Sequence, residues 1–232
     1  MLDLIQLQSP TLMELLSPRL RSLIEETATV VKYQDGQMIH ARGAQNIGLS
    51  IVKSGSALIG IMGLDGKFII VGQLSPGESF GEFTLYTDLP RTHDVSAAGD
   101  TEIFQLEERN FRRLEAKYPE LASALLRSSL MRNYFLLEAL DDLRRLSLVQ
   151  RSAKLILSMA YAQPKGTTQI QCKQQEMADT LGVSRVSMSS ALSRLVDLNL
   201  IELGYAEIRL VSLEGLEEWI SEHCSTTPLN WG

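Results

Sequence analysis

Residues 119–147 read PELASALLRSSLMRNYFLLEALDDLRRLS, with no glycine and no proline after the first position. Ala, Leu, Arg, Met and Glu, which dominate the stretch, are all good helix formers. A proline suits a helix's first turn, where the missing N–H costs nothing. The stretch predicts one helix of roughly eight turns, about 40 Å long at 1.5 Å per residue. A helix of that length near the middle of a chain divides it, and the residues on its two sides carry different patterns.

Two apolar stripes run along this helix. A heptad reading gives Ala122, Leu125, Ser129, Arg132, Leu136, Ala139, Leu143 and Leu146, and a second face carries Leu126, Leu130, Leu137 and Leu140. One face can pack on the chain's own core and the other on a partner helix. On this reading the dimer interface falls on Leu125, Ser129, Arg132, Leu136, Ala139 and Leu143. The competing reading is a long core helix of a monomer. Ser129 and Arg132 interrupt the seam, and such polar interruptions either fix register or mark a ligand cavity.

Before the helix, Ser9-Pro10 and Ser17-Pro18 predict helix starts, with serine as N-cap and proline at the first helical position. From residue 30 to 106, short β-rich runs (49–52, 57–61, 68–71, 102–105) alternate with glycines, and Asp65-Gly66 marks a hairpin turn. Many short strands with glycine turns predict a jelly roll, sandwich or barrel. Residues 107–118 are again helical.

The most chemical stretch of this half is GESFGEFTLYTDLPRTHDV, residues 77–95. It offers a glycine for close backbone approach, the carboxylate of Glu82, a short helical turn, then Arg91 and a hydroxyl. Arg91 has a planar fork of donors suited to a phosphate or carboxylate, and the N–H groups opening the turn would add to an anion site. A structural Glu82–Arg91 salt bridge explains the same spacing equally well.

After the long helix, residues 149–162 predict an amphipathic helix, broken at Gln163-Pro164-Lys165-Gly166, and residues 170–172 a short strand. Residues 173–195, KQQEMADTLGVSRVSMSSALSRL, predict a helix, a tight turn at Gly182 and a second helix capped by Ser184. Met177, Ala178, Leu181, Val183, Met188, Ala191, Leu192 and Leu195 are the inward positions. Arg185, Val186, Ser187, Ser189, Ser190, Ser193 and Arg194 make the outward face, where short hydroxyls and arginines suit the major groove. Residues 197–211 predict two short strands turning near Gly204-Tyr205, a wing. A helical hairpin with no DNA role is the alternative. From residue 165 to 200 there are four basic and three acidic side chains, a balance of only +1, so tight DNA binding would need two copies and base or shape contacts. Residues 212–224 predict a short acidic helix with Trp219 and Ile220 packed on the winged domain, and residues 226–232 a tail.

Composition narrows the classes. The net charge of −6 argues against a nonspecific polyanion binder, though a local nucleic-acid site depends on charge distribution. No apolar run approaches a membrane span of about 18 residues. Residues 2–7 lack a basic flank and a cleavage site, so no signal peptide is read. A cytoplasmic location without membrane partners is expected. Two cysteines and three histidines, unclustered, predict no disulfide framework, metal site or cofactor. No nucleophile–base pair or nucleotide-binding loop appears, so no enzyme activity is expected. Cys172, beside the DNA-reading unit, is a candidate redox switch.

The order of parts, with FGEFTLYTDLPRTHDV followed by QQEMADTLGVSRVSMSSALSRL, resembles the cyclic-AMP receptor protein/FNR family of bacterial transcription regulators over about residues 20–211. The resemblance implies an α+β chain with three parts. Residues 1–118 form an effector-sensing jelly roll or barrel of the cyclic-nucleotide-binding type, 119–147 a dimerisation helix, and 148–232 a winged helix-turn-helix. It further implies a homodimer on double-stranded DNA with a two-fold symmetric operator, RNA polymerase as a partner, and a small-molecule effector that binds the DNA-competent state more tightly.

Carried over residue by residue, Gly81 and Glu82 match positions near the ribose of a cyclic nucleotide, and Arg91 and Thr92 the phosphate-binding pair. His93 departs from the small residue usual there. Leu136 and Leu137 fall where a Thr-Ser pair contacts adenine, and two leucines cannot supply those hydrogen bonds, a loss of about 1–3 kcal/mol. An effector other than cyclic AMP is therefore expected, an apolar molecule with an anionic head being one fit and a ligand-free regulator the alternative. Iron–sulfur or haem sensing lacks the cysteines and histidines it needs. The DNA-binding set is Lys173, Gln174, Ser184, Arg185, Val186, Ser187, Ser190 and Arg194. Val186 and Ser190 replace the family's base-reading Glu and Arg, so a different operator is expected. A ligand-binding module whose winged domain binds protein is the other functional class that fits.

Overall fold

The computed structural model describes residues 10–63, 68–87, 89–161, 163 and 168–224. The chain divides into two compact units, one of Gln8–Tyr134 and one built on Phe135–Gly232. The division falls inside the long helix, between Tyr134 and Phe135.

The first unit opens with α1 (Leu12–Leu15) and α2 (Pro18–Thr27). Ser17 caps α2 as expected, its Oγ accepting from the Leu20 N–H at 3.4 Å, with Pro18 in the first turn. The other expected start moves. Ser9 lies outside the described residues, Pro10 precedes the helix, and α1 is capped by Thr11, whose Oγ1 accepts from Glu14 N–H while the Glu14 carboxylate accepts from Thr11 N–H at 2.8 Å. A reciprocal cap satisfies two orphan donors, which a proline at that place cannot match.

Six strands form one antiparallel sheet: β1 (Thr29–Tyr33), β2 (Met38–His40), β3 (Gly48–Met62), β4 (Phe68–Leu74), β5 (Ser79–Phe80) and β6 (Asp94–Glu107). Their path is β1-β6-β3-β4, with β2 paired to β6 and β5 to β3. The runs 49–52 and 57–61 belong to one strand of 15 residues, not two. Gly55 makes this possible. Its φ is +75°, and a Cβ at this position would fall 2.4 Å from Asp100 O, so only glycine lets the chain bulge there and continue. The turn expected at Asp65-Gly66 lies outside the described residues, but the strands flanking it pair from Met62↔Phe68 to Ala57↔Leu74.

Alternation along β6 divides the interior. Val95, Ala97 and Ile103 join Ile39, Val52, Ala57, Leu74 and Phe80 inside the sheet. Phe104 and Leu106 face the other way and meet Leu12, Leu20 and Ile24 from the first two helices, Phe111 and Leu114 of α4 (Glu108–Lys117), and Leu121, Ala124 and Leu125 of α5 (Glu120–Arg145). Full burial of a side chain such as Phe111 or Ile103 contributes about 1.5–3 kcal/mol. A short helix, α3 (Phe83–Tyr86), follows β5.

Burial sorts the faces of α5 differently from the heptad reading. Leu125 is 2 % exposed within the chain's own core, and Arg132 is turned to the β sheet, so neither belongs to an outer seam. The exposed apolar positions are Leu126, Leu130, Leu137 and Leu140, with Leu136 and Leu143 beside them. The core claims Leu125 because Leu121, one turn back, already points there, as does the neighbouring Ala124.

The second unit continues with α6 (Leu148–Tyr161), β7 (Gln169–Gln171), α7 (Gln174–Leu181), α8 (Arg185–Asp197), β8 (Ile201–Gly204), β9 (Glu207–Leu210) and α9 (Leu213–His223). Its sheet has the order β7-β9-β8. Ile156, Ile170, Met177, Met188, Leu192, Leu195, Ile208 and Leu216 form its core, with Trp219 and Ile220 packed against it.

Candidate functional site

Two sites emerge, one in each unit. The first gathers around Arg91. Gly81, between β5 and α3, has φ +97°, and a Cβ there would fall 1.8 Å from Arg91 Nη1 and 2.8 Å from Gly48 O. Glycine is required both by the backbone angle and by the guanidinium lying against it. The Arg91 backbone is held on both sides, its N–H donating to Ala44 O at 3.0 Å and its carbonyl accepting from Gly43 N–H at 2.8 Å. Its side chain is 6 % exposed, and Nη2 donates to Gly48 O at 3.1 Å. Nε and Nη1 are buried without a partner among the described residues. Burial draws the guanidinium pKa below its ordinary value, while the nearby Glu82 charge works in the opposite direction.

Of the two readings of the cassette, the Glu82–Arg91 salt bridge does not form. Glu82 Oε1 instead accepts from Arg132 Nη2 at 2.9 Å and from Ser79 Oγ, while Arg132 Nη1 donates to Ser79 O at 2.9 Å. Arg132, which heptad spacing puts in the seam, thus belongs beside the cassette, and its polar interruption of the heptad is the signal. Asp94, the next carboxylate along, is also consumed: Oδ1 accepts from Arg42 N–H at 2.8 Å and Oδ2 from Met62 N–H at 3.1 Å. Glu82 and Asp94 are thus engaged elsewhere, and a buried cation with two nitrogens unpartnered among the described residues remains, which is a donor set for an anion.

Thr92 is half-buried, with Oγ1 2.9 Å from His93 Nδ1. His40, which no sequence pattern singles out, lies buried near Arg91, with Nε2 2.9 Å from Ser50 Oγ, Nδ1 3.2 Å from Asn46 Nδ2, and its ring edge-to-face with Phe80. Burial, and secondly the Arg91 charge, lower its pKa to about 4. Leu136 and Leu137 belong to the second unit and are exposed.

The second site is α8. Gly182 ends α7 at φ +65°, and Ser184 caps α8, its Oγ accepting from Ser187 N–H at 3.1 Å. Met188, Ala191, Leu192 and Leu195 are buried, which turns Arg185, Val186, Ser187, Ser190, Ser193 and Arg194 outward. Val186 is 80 % exposed. Ser189, placed on the outward face by spacing, is half-buried. Arg194 is 3.7 Å from Asp197, whereas Arg185 has no ion-pair partner among the described residues. Lys173 is exposed at the start of α7, with Gln174 half-buried beside it. In the wing, Tyr205 is fully exposed and Ala206 has φ +51°.

Cys172 is buried, and burial, then the Glu176 charge, raise its thiol to about 11. Such a thiol is almost wholly protonated at neutral pH and a poor redox switch. Among the described residues, no three His, Cys, Asp or Glu side chains gather as metal ligands, and no helix is long and apolar enough to cross a membrane.

A β unit with a buried anion-type cassette, followed in the same chain by a winged helix-turn-helix, defines the class of DNA-binding transcription regulators that carry their own sensor domain. Residues 30–118 match the cyclic nucleotide-binding domain, and residues 150–219 the Crp-like helix-turn-helix domain. The CRP-like cAMP-activated global transcriptional regulator of Mycobacterium tuberculosis is 27% identical over 168 residues, 70% of this chain and 75% of that one. The cAMP-activated global transcriptional regulator CRP of Salmonella typhimurium is 27% identical over 176 residues, 73% of this chain and 83% of that one. A CooA mutant from Carboxydothermus hydrogenoformans has the same fold, with a TM-score of 0.74 at 19% identity, covering 93% of this chain and 98% of that one. The chain belongs to the Crp/Fnr family of transcription regulators.

Proposed function

We propose that this regulator acts as a homodimer on a two-fold symmetric operator, and that an anionic effector held by Arg91 modulates its DNA binding. One observation carries the DNA reading: Arg185 and Val186 stand outward at the start of a helix whose other face is buried, and Arg185 has no ion-pair partner among the described residues. An arginine there can donate two bonds to guanine, and a valine can contact a thymine methyl. Lys173, Gln174, Ser184, Ser187, Ser190 and Arg194 complete the contact surface, the hydroxyls and the lysine toward phosphates. The exposed leucines of α5 at positions 126, 130, 137 and 140 suit pairing with the same helix of a second copy. RNA polymerase is the partner through which such a regulator would act.

The effector reading rests on the two free nitrogens of Arg91. Both regulators compared above are cAMP-activated, and Arg91 and Thr92 stand where a phosphate would bind, with Gly81 and Glu82 where a ribose would. Leu136 and Leu137, however, offer no donor or acceptor to a purine, so we assign an anionic effector other than cyclic AMP. A ligand-independent regulator is the second reading, favoured by Glu82 being already bound to Arg132 and Ser79.

Selection of random duplexes on the purified protein tests the DNA reading, with an enriched palindrome expected. Arg185→Ala should then weaken the operator by about 1–3 kcal/mol and relax one base position. Normal operator affinity in that variant would refute the assignment. Calorimetric titration with cyclic AMP, repeated on Arg91→Ala, tests the effector: micromolar binding lost in the variant would restore cyclic AMP as the effector.

A further inference from the structure

Strict alternation along β2 would turn Met38 and His40 outward and Ile39 inward. Met38 is exposed and Ile39 buried, yet His40 is only 7 % exposed. The cause is a shift of register. Met38 faces Ser96 and His40 faces Val95 on β6, so a step of two residues along β2 answers a step of one along β6. Such a bulge re-aims a side chain, and here it turns an imidazole into the interior.

The ring lands beside the anion cassette. Its Nε2 is 2.9 Å from Ser50 Oγ. Ser50 is two residues from Gly48, whose carbonyl holds Arg91 Nη2, and its strand partner Phe80 precedes Gly81, against which the guanidinium lies. On the other side, Nδ1 is 3.2 Å from Asn46 Nδ2. An amide NH2 only donates, so Nδ1 is the acceptor and Nε2 carries the proton toward Ser50. A half-turn of the Asn46 amide would present its oxygen instead and accept from a protonated Nδ1. Asn46 is exposed, which gives the proton a route from water. The same two neighbours can therefore hold the ring neutral or charged.

What keeps it neutral is burial first and the Arg91 charge second. The acids on the surrounding elements are occupied: Asp94 accepts from two backbone N–H groups, and Glu82 Oε1 from Arg132 and Ser79. Arg42 is exposed to water. Arg91 is thus the charge that bears on the ring.

We propose that the anion site is proton-coupled: an anion on Arg91 cancels the charge that opposes a proton on His40, the ring takes up that proton, and the effector binds more tightly as pH falls. This deepens the effector reading above and rests on Arg91 as the holder of the anion. By linkage, the factor by which the anion favours the charged ring is the factor by which the charged ring favours the anion.

NMR of the full-length protein with labelled histidine rings and arginine side chains reads both partners. Sulfate is the probe, because it neither gains nor loses a proton in this range. Sulfate should raise the His40 midpoint by about one unit, while burial keeps it below the ordinary 6.5. Sulfate should bind about threefold more tightly near pH 4.5 than at pH 7, a gain absent in His40→Gln. In Arg91→Met the ring should titrate higher than in wild type without sulfate and not respond to it. The wild-type titration stands whether or not either variant folds. A His40 midpoint unmoved by sulfate, with the Arg91 Nε–H resonance shifted, would overturn the proposal and leave the anion site standing. Neither group responding would overturn the anion site and the proposal with it.

Discussion

Replacing Arg91 by methionine should make the β unit more stable, not less, as long as no anion is present. The residue is 6 % exposed, and two of its side-chain nitrogens are buried without a partner among the described residues. Each orphaned donor costs about 1–3 kcal/mol. The bond from Nη2 to Gly48 O offsets part of this, a hydrogen bond from a charged donor contributing about 1.5–3 kcal/mol. Methionine keeps the stem's packing and removes the charge, so the net change should be a stabilisation of about 1–3 kcal/mol. Hydrogen exchange of the β3 and β6 amides reads this unit separately from the winged one. In anion-free buffer the most protected amides of the variant should exchange more slowly, about tenfold for each 1.4 kcal/mol. Added effector at about 100 times its Kd should stabilise the wild type by about 2.7 kcal/mol and leave the variant unmoved, reversing the order. An Arg91→Met protein that exchanges faster than wild type without anion would refute the reasoning, because the guanidinium would then be a structural strut.

Three further outcomes are expected. His40 is held neutral in the folded protein at a pKa of about 4 against an ordinary 6.5. The unfolded chain therefore takes up the proton first, and stability present above pH 6.5 should fall by about 3 kcal/mol as pH drops toward 4. His40→Gln should flatten that part of the stability profile, and an unchanged slope would remove His40 as its source. If the proposed dimer forms through the exposed leucines, Leu130→Glu/Leu137→Glu should give a monomer in sedimentation velocity and weaken operator binding, whereas Leu125→Ala should instead lower stability by about 2–5 kcal/mol without changing the oligomeric state. Cys172 should resist thiol reagents at pH 8 in the native state and react on unfolding, and rapid native labelling would restore it as a redox candidate.

Local chemistry makes much of this protein legible in one dimension. The 3.6-residue period and the absence of breakers mark α5, the Gly182 turn and the Ser184 cap mark the α7–α8 pair, and the Gly204-Tyr205 turn marks the wing. These signals work because caps, left-handed glycines and periodic apolar faces are satisfied within a few residues. The period of α5 also shows two leucine stripes, but not which one the chain keeps for itself. That depends on where Leu121, Ala124 and Leu125 meet Leu20, Ile24 and Phe111, contacts that bring together residues from opposite ends of the first unit.

Partner choice at the cassette is likewise invisible in one dimension. Glu82 and Arg91 are close in sequence and of opposite charge, which suggests a pair. Folding instead gives Glu82 to Arg132, 50 residues away, and leaves Arg91 buried against Gly81 and Gly48. An ion pair is decided by which groups the sheet and helices bring within a few ångströms as water is excluded. The sequence supplies the charges, and only the tertiary structure decides which of them meet.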